Sequence, residues 1–105
     1  KDYFSEAPKK IMWFLTVQAI PKPGALNTSG FSSAAVHCWI NFPDYDATIQ
    51  LVNFYLDREG WMVTNIEFSH EVNPKNYTEA DEGYNYALEA EKDGSSFLFQ
   101  TNLVF

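Results

Sequence analysis

From Ile11 to Ile20 the side chains alternate, with Trp13, Leu15, Val17 and Ala19 on one side and Met12, Phe14, Thr16 and Gln18 on the other. A period of two belongs to an extended strand, whose successive side chains point to opposite faces. One set is wholly apolar and the other mixed, so this strand has two unlike faces. Pro21, Pro23 and Gly24 end it, and the small and polar residues that follow to Ser33 read as a loop.

The same period returns from Ala34 to Phe42. Ala34, Val36, Cys38, Ile40 and Phe42 form its core side, and His37, Trp39 and Asn41 oppose them. Pro43 stops this strand, and Asp44 or Asp46 caps a helix that runs to Glu59, with Gly60 just beyond its end. Tyr45, Ile49, Val52 and Leu56 fall on the inner face of that helix. Trp61 to Val72 reads as a third strand with Ile66 and Phe68 inward, and Asn73-Pro74 begins a turn. Glu79 to Asp93 carries good helix formers, an acidic first turn and an apolar stripe of Tyr84, Ala87 and Leu88; Gly94 ends it. Ser95 to Phe105 is the last strand.

The order β-β-α-β-α-β predicts an α+β fold. Two helices on one face of a four-stranded sheet give a two-layer sandwich, a ferredoxin-like variant whose first two strands are joined by a loop. Residues 1–10 are polar and contain Pro8, so they read as an N-terminal arm before a single domain over 11–105. Apolar residues make up 46% of the chain, enough to bury a core that offsets the entropy of ordering.

Seven basic against fourteen acidic residues leave a formal charge of −7. That field repels phosphate backbones and anionic lipid, so neither nucleic acid nor a membrane is an expected partner. From Glu67 to Asp93 eight acids face only Lys75 and Lys92, a bias that would steer a basic partner. Cys38 is the one cysteine, which suits a reducing compartment and sets the expectation of cytoplasm. The apolar run Ile11–Ile20 is too short to span a bilayer as a helix.

No P-loop, dinucleotide fingerprint, nucleophile elbow or paired-His zinc motif occurs. His37 and Cys38 are neighbours on a strand and point to opposite faces, so they cannot act as one dyad. His37 and His70 with Glu67 or Glu71 could approach a metal-binding set only in a favourable register. The expectation is therefore no catalytic residue, no metal and no cofactor. The candidate contact residues are apolar or mixed: Phe14, His37, Trp39 and Glu67 on an open sheet face, and Leu51, Phe54 and Tyr55 beside the inner stripe of the first helix. Nine Phe, six Tyr and three Trp exceed what so small a core absorbs, which predicts an interface.

The stretches Val36-His37-Cys38-Trp39-Ile40-Asn41-Phe42, Glu59-Gly60-Trp61 and Asp93-Gly94-Ser95-Ser96-Phe97-Leu98-Phe99-Gln100-Thr101 resemble a group of short, uncharacterised bacterial proteins with a ferredoxin-like α+β fold. The resemblance implies a shared fold and no known catalytic role. A non-enzymatic protein-binding domain follows as the leading expectation, with a homodimer or a basic protein as partner and bacterial immunity or antitoxin proteins as its concrete form. The competing expectation is a small ferredoxin-like enzyme or ligand-binding regulatory domain, with a pocket at the open sheet face where His37, Trp39 and Glu67 converge.

Overall fold

The computed structural model describes residues 12–104; the expected arm over residues 1–10 lies outside them. Strands β1 (Met12–Pro21) and β2 (Phe31–Ile40) precede helix α1 (Tyr45–Arg58), strand β3 (Trp61–Val72), helix α2 (Tyr84–Asp93) and strand β4 (Ser95–Leu103). The result is a small α+β domain with one antiparallel sheet in the order β3-β1-β2-β4. β2 and β3 run the same way on either side of β1, with α1 as the crossover between them.

The first face of the sheet is the one the alternation marks as core. Leu15, Val17, Val36, Cys38 and Ile40 are buried there against Val52 and Leu56 of α1. Each such side chain contributes roughly 1.5–3 kcal/mol by leaving water. Asp44 caps the helix by accepting from the Ala47 N–H at 2.8 Å. Gly60, at φ +91°, turns the chain back into β3, and a Cβ there would meet the Asn27 side chain at 2.6 Å. The Gly60 carbonyl accepts from the Lys22 N–H and the Thr28 hydroxyl, which ties the 22–30 loop to this turn.

The helices do not share a face, which corrects the two-layer expectation. α1 lies on the first face toward β3; α2 lies across the second face, on the β2 and β4 side. There Ala87 and Ala90 pack with Met12 and Trp39, and Tyr86 stacks on the indole at 5.1 Å. Alanines at these positions let the helix backbone come close to a large ring, so α2 is drawn to the face that carries Trp39.

Five further expectations change. Phe68 is not inward: it is 49% exposed. Register shifts occur opposite Thr16/Val17 and Gln18/Ala19, so Ile66 pairs with Val17 while Phe68 pairs with Thr16. The bulge at Glu67 reverses the facing of every residue beyond it. Phe42 lies outside β2 and is exposed, because the strand ends at Ile40 and the Asn41 N–H bonds to the Gly94 carbonyl. β2 also begins earlier than expected, at Phe31. Finally, α2 starts at Tyr84 and not at Glu79, and its first turn holds no acid. The Asp81 carboxylate accepts from the Thr78 N–H at 2.7 Å, a local turn that competes with helix over these residues. Leu88 of the expected stripe is exposed, and Ala90 is buried.

Ile40 is 1% exposed within the first-face cluster. Ile40→Ala is expected to lower stability by about 2–5 kcal/mol in urea melts, through lost burial and the cavity left behind. Phe68→Ala, on the far side of the bulge, is expected to cost distinctly less than Ile40→Ala in the same assay.

Candidate functional site

Two regions gather the candidate residues. The first is a cavity of about 300 Å³ on the second face, where α2 and its approach segment stop short of covering the sheet. Phe14 of β1, His37 of β2 and Gln100 of β4 line it from the sheet, and Tyr77 and Glu82 line it from the segment before α2. Alternation places Phe14, His37, Leu98 and Gln100 on this one face, because paired residues in neighbouring strands share a side.

Hydrogen bonds hold these side chains. His37 Nε2 donates to the Gln100 amide oxygen at 3.1 Å, and the Thr16 hydroxyl lies 3.0 Å from Nδ1. The Phe14 ring is parallel to the imidazole at 6.1 Å and tilted against Trp39 at 4.9 Å. Trp39 Nε1 donates to the Tyr77 hydroxyl at 3.1 Å, which fixes the phenol over the floor of the cavity. Gly83 completes this wall. A Cβ at that position would lie 2.9 Å from the Tyr77 ring and 3.0 Å from the indole, so only glycine permits the approach.

Of the residues expected to converge here, His37 and Trp39 do and Glu67 does not. Glu67 sits at the bulge of β3, where its carboxylate accepts from the Gln18 amide at 2.7 Å. Trp39 is only 4% exposed, which removes it from the contact surface expected on the open sheet face. Its indole is core, buried within its own chain by α2. His70 flanks the other side of Phe14, with ring centroids 5.6 Å apart, so a phenyl ring and not a metal site lies between the two imidazoles. Among the described residues no group of three or more His, Cys, Asp or Glu side chains is placed to hold a metal ion. Tyr77, Glu82 and Gly83 were not singled out by the sequence. Gly83, four residues before the buried pair Ala87 and Ala90, is the one signal that could have marked them.

The second region is a groove of about 340 Å³ on the first face, between α1 and β4. Leu51, Phe54 and Tyr55 line its α1 side, as their position off the buried stripe predicts, and Phe97 lines it from β4. Tyr55 stacks on Phe97 at 4.4 Å, while Phe54 is 62% exposed. Phe42, displaced from β2, joins this patch. The groove runs beside an edge of the sheet, since among the described residues β3 and β4 pair with no further strand. The two edges differ. β3 carries Glu67, Glu71 and two register irregularities, features that discourage edge pairing; β4, SSFLFQTNL, has no charge and no proline.

Three of the eight acids expected to form a negative field, Glu71, Asp81 and Glu82, line an open hollow of about 530 Å³. It shares Tyr77, Glu82 and Gly83 with the aromatic cavity. No described helix is long and apolar enough to cross a membrane.

Cys38 belongs to the first-face core, and burial pushes its thiol up to about 12. The thiolate is the nucleophile, so this side chain carries no reactivity in the folded chain. The sequence matches no family model, and neither a curated protein nor a solved structure matches it.

Iodoacetamide at pH 8 is expected to modify Cys38 only in denaturant, read by intact mass. The raised value also sets a sign for stability. The unfolded thiol releases its proton near its ordinary value of 9.0 and the folded one only near 12, so this contribution is complete below 9 and is lost as pH rises toward 12. Chemical denaturation across that interval, compared with Cys38→Ala, measures it.

Proposed function

We propose that this chain is a non-enzymatic protein-binding domain, and that its first partner is a second copy of itself, met along α1 and β4. The observation that carries this reading is the exposed row Leu51, Phe54 and Tyr55 beside Phe42, next to a strand edge without charge. Apolar side chains in water gain by being covered, and an unpaired strand offers a ladder of N–H and C=O groups to a partner strand. Two β4 strands meeting antiparallel obey a two-fold axis, the commonest symmetry of soluble oligomers. The −7 charge of each copy opposes association in general, so contact is favoured at a segment that carries none.

Immunity or antitoxin proteins of bacteria are the concrete class to which we assign such a domain, with a basic toxin as the further partner of the acidic hollow. A cytoplasmic location and a relation to ferredoxin-like bacterial domains go with this proposal; one crossover, β2-α1-β3 around β1, supports that relation. A second reading is favoured by a separate observation. The cavity beside His37 and Trp39 has the size and the mixed lining of a small-ligand pocket, which supports a ligand-binding regulatory domain.

Light scattering of the full chain at tens of micromolar is expected to give about twice the chain mass. Phe54→Glu is expected to give folded monomer, because Phe54 contributes little to the fold while a charge there opposes its cover. Single-chain mass at every concentration overturns the self-association reading.

A further inference from the structure

We infer that the second-face cavity is a binding site for an organic cation of the alkylammonium class. The inference rests on the ligand-pocket reading above and names its ligand. Three observations select the charge of the occupant. Phe14 and Tyr77 form accessible walls and Trp39 the floor, so aromatic rings line the space from both the sheet and the α2 approach. The Glu82 carboxylate stands at the rim, where the cavity meets the acidic hollow with Glu71 and Asp81. Among the described residues no Lys or Arg lines it, and the chain as a whole carries −7.

The faces of aromatic rings attract cations through their quadrupole, and the attraction grows when the site is dry. An alkylammonium group spreads its charge over methyl or methylene surface, so it gains from the rings without the full dehydration cost of a compact ion. Glu82 adds the opposite charge on the solvent side. An anion meets the reverse at the ring faces and at Glu82. The His37 and Gln100 pair gives the far end a polar group that accepts or donates one hydrogen bond, as a hydroxyl or amide on the cation's tail requires. Gly83 keeps the rim at this spacing, since any larger residue would push Tyr77 outward.

The ammonium could belong to a free small molecule or to a methylated lysine of a protein partner, and one titration separates the two. The full chain is titrated with choline, with its neutral isostere 3,3-dimethylbutanol, and with a short peptide carrying trimethyllysine. The readout is the indole N–H resonance of Trp39, the tryptophan on this face; Trp13 and Trp61 pack with the first-face core. Choline is expected to shift that resonance saturably and to bind about tenfold more tightly than the isostere. Glu82→Gln and Tyr77→Ala are each expected to weaken choline several-fold, while Glu79→Gln, outside the lining, leaves it unchanged. Tighter binding of the peptide than of choline assigns the ammonium to a protein partner; equal or weaker binding assigns it to a free molecule. Equal affinity for choline and the isostere overturns the cation assignment and leaves a ligand pocket. No shift with either at tens of millimolar overturns both.

Discussion

A four-stranded sheet has two faces, and this chain spends one short helix on each. α1 covers the first face on the β3 side and α2 covers the second on the β4 side, so the cover is diagonal. Among the described residues, each face is left bare over the opposite half. The bare half of the first face is the groove beside Phe97 and Tyr55, and the border of α2 on the second face is the cavity beside His37. Both candidate surfaces follow from the same shortage of helix. A chain of this length that placed both helices on one face would have buried the first region and exposed Trp39.

The diagonal arrangement depends on Trp39. Its indole is the largest apolar object on the second face, and it is held by Tyr86 stacked on it, by Ala87 and Ala90, and by the Tyr77 hydroxyl. An indole needs both an apolar cover and an acceptor for its N–H, and the segment Tyr77–Ala90 supplies the two together. The same ring therefore anchors α2 and floors the cavity. Packing and the geometry of the candidate site cannot be altered separately here.

The sequence made much of the frame legible. Strict alternation in β1, the Asp44 cap, the inner stripe of α1 and Gly60 and Gly94 at the ends of the helices all act over a few residues, and such local signals survive without knowledge of the fold. What was not legible acts across strands. The bulges of β3 cannot be seen in Asn65-Ile66-Glu67-Phe68, where apolar and polar residues alternate without a break; only the pairing with Thr16 and Val17 reveals the extra residue. Which face α2 takes is likewise a contest between cores, decided by the fit of small alanines to the indole. The exposed apolar row on α1 was readable because it needed only the helical period. The cavity was not, because Tyr77, Glu82 and Gly83 reach it through a turn whose course is set by Asp81 and by the close approach to Trp39.

The unlike edges of the sheet bear on how far association can go. A sheet receptive at both edges has a valence of two and grows into a filament, each added copy presenting a fresh edge. Here β3 is bent by two bulges and carries acids, whereas β4 is neutral and the one register shift of its ladder, between Phe31 and Ser33, falls on the β2 side. Such a sheet has a valence of one. In the proposed self-association, joining through β4 would consume the receptive edge of both molecules and present only β3 to the next, so growth would terminate at a pair.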